Sequence, residues 1–206
     1  MSKSFQMGIY EVTLGQFKKF IAGTGRDDLL SDDFIKSNSH GDNAAVTTVS
    51  WHDAQAFIGW LNKKEGGNHY RLPTESEWEY AARAETNSIY SWGNRQSRAG
   101  TYAWYNKNAS DRGNKHAHAV GGKKANPWGL YDMHGNVREW VQDWFDKNYY
   151  RNSPTNDPKG ASSGRYRVNR GGSWYGYEGY LRSASRSANT PGDRDDYLGF
   201  RLVRQP

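Results

Sequence analysis

Arg167-Val-Asn-Arg-Gly-Gly-Ser-Trp174, Leu181-Arg-Ser-Ala-Ser-Arg186 and Leu198-Gly-Phe-Arg-Leu-Val203 alternate near the C-terminus with a second kind of text. These pieces combine glycine with Trp, Arg and aliphatic residues, as closely packed strands do. Between them, residues 175–180 and 187–197 are almost wholly Tyr, Gly, Ser, Asn, Asp, Ala and Thr. Tyr supplies rigid contact area and short polar side chains supply adaptable hydrogen bonds, which is the vocabulary of a binding surface. The region of about 167–203 therefore reads as a stiff frame presenting a ligand face.

Outward from this frame, the sequence alternates capped helices with irregular segments. Residues 130–141 form a tight turn running into a strand. Thr74-Glu-Ser-Glu77 is a full capping box, opening a helix with Trp78, Tyr80, Ala81 and Ala82. Tyr70-Arg-Leu-Pro73 before it is extended, because the residue before proline avoids the helical region. Ser50-Trp-His-Asp53 is a similar start, followed by Ala54, Phe57, Ile58 and Leu61 at helical spacing, with an end near Lys63. Residues 5–12 read as a first strand. Thr13 then caps a short helix carrying Phe17, Phe20 and Ile21, closed by Gly23. Residues 24–46, 86–129 and 145–165 read as polar or irregular loops.

The totals narrow the function classes. The protein has 206 residues, low hydrophobic content at 35% and high aromatic content at 15%, so rings must carry much of the core. The net charge is +6, but basic residues are scattered instead of clustered, which weighs against nucleic acid as a partner. There are no cysteines, so no disulfide, thiolate metal site or thiol nucleophile forms within this sequence. No apolar run approaches a membrane span, and the opening Met1-Ser-Lys-Ser-Phe-Gln-Met lacks a hydrophobic signal region. The expectation is a protein without a membrane span or export signal, either cytoplasmic or displayed through a partner.

Several phrases occur in a fixed order: Met7-Gly-Ile-Tyr-Glu-Val-Thr13, Val49-Ser-Trp-His-Asp-Ala54, Tyr70-Arg-Leu-Pro-Thr-Glu-Ser-Glu-Trp78, Gly129-Leu-Tyr-Asp-Met-His-Gly-Asn-Val-Arg-Glu-Trp140, Arg170-Gly-Gly-Ser-Trp174 and Gly199-Phe-Arg201. On these residues the protein resembles the formylglycine-generating-enzyme (sulfatase-modifying factor) family over nearly its whole length. The resemblance implies one α+β, C-type-lectin-like domain over residues 1–206. Its parts are two helices, small twisted mostly antiparallel sheets and extensive loops. Oxidase members of that family bind copper through two cysteines. Here the first falls on Gly176 and the second near Leu181 or in a gap, so no copper is expected. The resemblance also implies a calcium loop, with the Asp132 and Glu139 carboxylates and the Gly135 and Val137 carbonyls as ligands. The alternative is that Asp132 and Glu139 pair with arginines or backbone amides.

Among relatives of the family are variable proteins of diversity-generating retroelements, whose C-terminal stretch is rewritten at adenines. Randomising an AAC or AAT codon yields Tyr, Gly, Ser, Asp, Asn, Ala and Thr but never Trp, Lys, Gln, Glu or Met. Tyr175, Gly176, Tyr177, Gly179, Tyr180, Ser185, Ser187, Ala188, Asn189, Thr190, Asp195, Asp196 and Tyr197 are all reachable, whereas Glu178 must be fixed. These residues form the expected ligand face, for a protein or other macromolecular partner. The competing readings are an undiversified regulatory binding domain and an oxygen- or metal-dependent enzyme that has lost the cysteine pair. His116 and His118 alternate on one loop without an evident third metal ligand. Arg167, Arg170, Arg182, Arg186, Arg194 and Arg201 recur among Asp193, Asp195 and Asp196, which favours internal ion pairs over a nucleic-acid face. Trp78, Trp140 and Trp174 read as core.

Overall fold

The computed structural model describes residues 1–205. In sequence order its elements are β1 (Gln6–Met7), α1 (Leu14–Thr24), α2 (Asp32–Ser37), α3 (Trp51–Glu65), β2 (Tyr70–Arg71), α4 (Glu75–Arg83) and α5 (Ala99–Tyr102). They continue with β3 (Arg138–Trp144), β4 (Arg167–Arg170), β5 (Ser187–Asn189), β6 (Leu198–Phe200) and β7 (Val203–Arg204). The architecture is α+β. None of the described helices is long and apolar enough to cross a membrane.

The predicted caps close the helices as expected. The side chains of Thr13, Ser50 and Thr74 accept from the backbone of Gln16, Asp53 and Glu77, and each partner side chain reaches back to the cap. Each box satisfies two orphan backbone donors. Gly66 ends α3 in the left-handed region, and Gly25 does so for α1, two residues beyond the predicted Gly23, which lies inside the helix.

β1 and β2 flank β7 in an antiparallel three-stranded sheet that gathers both ends of the protein. The second sheet runs β5-β4-β3-β6. It is antiparallel except for β3 and β6, where Arg138 lies opposite Leu198 and Trp140 opposite Phe200. The last strands thus seat the C-terminal residues against the interior strand β3.

The main core lies between α1, α3 and this sheet. Phe17 stacks on Phe57 at 5.9 Å, and both meet Phe200 edge-on. Trp140 is fully buried beneath them and donates to Val49 O at 2.9 Å, so its polar atom is satisfied. A second cluster joins Trp78, Ala81 and Ala82 of α4 to Met133, Val141 and Val168. Trp78, Trp140 and Trp174 are all core, as the sequence predicts.

Two expectations are corrected. The predicted strand over 5–12 pairs as a strand only at β1. Its continuation still follows the C-terminal segment, with Gly8 N donating to Leu202 O and Val12 N to Phe200 O. The Gly8 and Ile9 carbonyls, however, accept from Arg201 Nη1 at 3.0 and 3.3 Å, so a side chain takes the place of a neighbouring strand. The predicted loop over 24–46 contains α2, capped by Ser31 and held by Phe34, which packs 5.9 Å from Phe17. The irregular 86–129 segment builds a further aromatic core in which Trp92 stacks between Tyr90 and Tyr102, at 4.5 and 4.9 Å.

Candidate ligand-binding face

The face begins at the Gly171-Gly172 turn after β4. Both glycines have left-handed φ, at 95° and 78°, and a Cβ on Gly172 would lie 3.0 Å from Tyr180 O and Leu181 Cδ2. Only glycine takes this conformation without strain. The backbone beyond is pinned repeatedly. Trp174 N donates to Asn136 O at 2.8 Å and its indole to Asp196 O at 3.1 Å. Gly176 N donates to Ser173 O, Gly176 O accepts from Asn106 N, and Tyr180 N donates to Tyr177 O. His134 Nδ1 bonds Leu181 O at 2.7 Å.

Side chains along this pinned segment split by position. Trp174, Gly176, Glu178 and Leu181 are buried. Tyr175, Tyr177 and Tyr180 stand in solvent, 61%, 65% and 49% exposed, values far above those of core tyrosines such as Tyr90 at 3%. Glu178, the residue that adenine rewriting could not produce, pairs with Lys107 beneath the strip. Tyr175 lies 6.3 Å from Tyr197 with rings nearly parallel. Arg138, at the start of β3, sits under Tyr180 and Tyr197 with its guanidinium carbon 5.4 and 5.7 Å from their ring centres.

The predicted face is thereby sorted. Tyr175, Tyr177, Gly179, Tyr180 and Asp196 are exposed, and Ser185, Ser187, Ala188 and Tyr197 are half-buried beside them. Gly176 is buried with both backbone groups used internally, so it offers a partner nothing. Asn189, Thr190 and Asp195 are tied up inside the loop. Asn189 Nδ2 donates to Asp195 Oδ2 at 3.1 Å, Thr190 N donates to Asp193 Oδ2 at 2.9 Å, and Asp195 O accepts from Thr48 N.

The arginines behind the face act as braces, but not through the aspartates that neighbour them in sequence. Arg170 pairs with Glu75 and Glu79, Arg186 with Glu75, Arg194 with Asp53 and Arg201 with Glu139. Arg167 lies between Trp51 and Trp144, 4.0 and 3.5 Å from their rings. Burial, reinforced by Glu75 and Glu77, raises the Asp143 carboxyl to about 7, against the hydrogen bond it accepts from Glu75 N.

Of the four expected calcium ligands, the Glu139 and Asp132 carboxylates already have partners within the protein. Glu139 is fully buried, and its two oxygens accept from Arg201 Nε and Nη2, both at 2.7 Å, and from Trp78 Nε1 at 2.6 Å. A guanidinium occupies the place a hard cation would need. Asp132 Oδ2 accepts from Gly121 N, and burial raises this carboxyl to about 6. Glu139 is therefore an ion-pair residue, the alternative already drawn from the sequence.

His116 and His118 stack with each other and do not converge on a metal. His40, His116 and His118 form a column ending on Trp104, with successive centroids 3.5, 4.8 and 4.0 Å apart. Lys123 caps Trp104 at 3.7 Å. Burial first, then nearby positive charge, lowers His118 to about 4. His134, whose place in the turn at Gly135 suggests a structural role, has one: it is fully buried between Leu181 O and Ser91 Oγ and is lowered by burial to about 4. The sequence reading missed Arg138, which carries no local signal because it lies inside the phrase read as a calcium loop.

Residues 1–206 match the sulfatase-modifying factor enzyme 1-like domain family. Over 172 residues the protein is 40% identical to the formylglycine-generating enzyme of Streptomyces coelicolor, covering 78% of this sequence and 52% of that one. The match thus spans about half the length of that relative. Among solved structures, the Treponema denticola variable protein 1 superposes with a TM-score of 0.81 and 28% identity, covering 98% of the present protein and 84% of that one. PvdO from Pseudomonas aeruginosa superposes with a TM-score of 0.84 and 27% identity, covering 98% and 80%. The fold is the C-type-lectin-like, formylglycine-generating-enzyme type expected.

Proposed function

Since the protein belongs to the sulfatase-modifying factor enzyme 1-like family, we propose that it is a non-catalytic ligand-binding protein presenting a diversified surface, as a retroelement variable protein does. One observation carries this reading. Within residues 174–181, the side chains that pin the strip are buried while Tyr175, Tyr177 and Tyr180 reach solvent. Exposed tyrosines on a rigid backbone serve as anchors because little entropy is lost when a partner covers them. The likeness to the Treponema denticola variable protein 1 supports the reading. The partner is a protein or another macromolecule, because the three rings stand out in solvent, whereas a small molecule would need an enclosing apolar pocket.

The gene provides the direct test. A near-copy of the segment encoding residues 167–203 should lie close by, differing only at adenines, with a reverse transcriptase gene beside it. The codon for Glu178 should be identical in both copies. At the protein level, a partner captured by the native protein should lose binding when Tyr175, Tyr177 and Tyr180 become Ala together, while the melting temperature stays within a few degrees. Retained binding would end the proposal.

The 40% identity to a formylglycine-generating enzyme favours a second reading, an oxygen- or metal-dependent enzyme working without the cysteine pair. Metal analysis of the purified protein separates the two. Stoichiometric iron or copper supports the enzyme, and neither supports the binding protein.

A further inference from the structure

We propose that a groove between α1 and α3 docks an acidic segment of a partner protein, at a site that shares no residue with the tyrosine face. The groove holds about 710 Å³, with Gly23 and Thr24 of α1 on one side and Ala56, Gly59, Trp60 and Lys63 of α3 on the other. Gly23, Thr24, Gly59 and Lys63 are exposed, and Trp60 is half-buried. The four α3 positions follow i, i+3, i+4 and i+7 spacing, so they share one helix face. Ala54, Phe57 and Ile58 of the same helix are buried in the core instead.

Two features of this face are not accounted for by the protein's own packing. The first is Gly59, which lies in the middle of α3, where glycine is a poor helix former. A Cβ on Gly59 would meet nothing within 4 Å, so no neighbour requires the missing side chain. Gly23 is the contrast, because a Cβ there would lie 2.9 Å from Trp60 Nε1. The second feature is charge. Among the described residues only Lys18 and Lys107 pair with a carboxylate, which leaves Lys63 and Lys64 without one. Lys64 lies 5.1 Å from the Trp60 ring. Arg26 also lines the groove but is held by Asp28, and no carboxylate lines it. Basic residues in a last helical turn offset the helix dipole, but that role asks nothing of Gly59 or Trp60. A bare stretch of helix lets a partner's chain approach closely, and the Trp60 ring supplies apolar contact area beside it. The two free ammonium groups at the rim attract carboxylates and disfavour basic partners. Nucleic acid fits less well, since it needs a longer basic track than two lysines provide.

The test is a titration of the full-length protein followed by NMR at the Trp60 indole N–H and the Gly59 amide. Three probes are used: the acetylated and amidated peptide Glu-Glu-Leu-Phe-Glu-Glu, the same peptide with Gln in place of Glu, and a short oligothymidylate. The acidic peptide should saturate both signals with a Kd on the order of a millimolar or below. The Gln peptide should bind at least about tenfold more weakly, and so should the acidic peptide to a Lys63→Gln, Lys64→Gln double variant. Gly59→Leu fills the groove with a better helix former at a position free of clashes. It should therefore keep or raise the melting temperature while abolishing saturation, a combination that a merely structural Gly59 would not produce. The proposal is overturned by no saturation with the acidic peptide, by equal binding of the Gln peptide or by tighter binding of the oligothymidylate. Unchanged saturation in folded Gly59→Leu overturns it as well. Tyr175→Ala with Tyr177→Ala should leave the titration unaltered, so loss of the groove site would not touch the tyrosine face, nor the reverse.

Discussion

The closing residues of the protein contain two populations of large polar-tipped side chains, and they obey opposite rules. Arg170 and Arg201 are fully buried, and their charges meet carboxylates supplied by α4 and β3. Tyr175, Tyr177 and Tyr180 lie on the same stretch with their rings in water. A buried charge must be paired or the fold loses several kcal/mol, so each arginine is fixed by residues distant in sequence. An exposed tyrosine has no such obligation. The interior therefore constrains sequence, and the strip leaves it free wherever the side chain points outward.

The largest test of this contrast is at Arg201. Its guanidinium serves Glu139 and the carbonyls of Gly8, Ile9 and Tyr131. Arg201→Met would leave a buried carboxylate facing only Trp78 and would take away the side-chain donor to the Gly8 and Tyr131 carbonyls, while Ile9 O keeps its bond from Tyr131 N. Burial, with Asp132 and Glu139 nearby, already holds the Glu11 carboxyl well above the ordinary range, and losing the Arg201 charge would push it further. The expected loss is about 3–5 kcal/mol in urea unfolding. Adding Glu139→Gln to Arg201→Met should recover part of it, because the unpaired charge is then gone.

A smaller effect concerns acid. His134 holds the strip through Leu181 O and is lowered to about 4, so its neutral form is the folded one. The unfolded protein binds the proton near 6.5, so His134 contributes its full stability above that pH and loses it as pH falls toward about 4. The contribution is up to about 3 kcal/mol. Asp143 and Asp132, raised to about 7 and about 6, act in the other direction and stabilise the fold as pH falls through that same window. The native protein should thus show a shallow acid slope that conceals opposing terms. In His134→Gln, stability measured at pH steps between about 6.5 and 4.5 should fall less, or rise, relative to the native protein. Parallel profiles would remove His134 from the account.

These regions also differ in how far they were readable beforehand. The helix starts at Thr13, Ser50 and Thr74 depend on residues three positions apart, so local text is sufficient. The exposure of the tyrosine strip followed from composition. The arginine partners did not. Proximity in sequence favoured Asp193, Asp195 and Asp196, whereas Arg186 and Arg194 bind Glu75 and Asp53 across separations of 111 and 141 residues. The same long reach explains the shortened first strand, since Arg201 captures carbonyls near the N-terminus. Composition likewise cannot distinguish Asn189 and Thr190, which bond inward, from Tyr177, which does not.

The finest comparison lies within the face itself, between Gly172 and Tyr177. Gly172→Ala places a methyl 3.0 Å from backbone and side-chain atoms of Tyr180 and Leu181 at a φ of 78°, a conformation alanine adopts only with strain. Destabilisation of about 1–3 kcal/mol is expected. The damage should spread along the strip, because the displaced atoms belong to the segment that aims Tyr180. Tyr177→Ser removes a much larger side chain from a position 65% exposed and should change stability by no more than about 0.5 kcal/mol. If the small change disrupts the fold and the large one does not, the strip is held by its backbone and the tyrosine rings are left available to a partner. If both variants unfold at the same urea concentration as the native protein, the turn is not the clamp described here. If Tyr177→Ser alone is destabilising, that ring packs against the protein and is not presented to solvent.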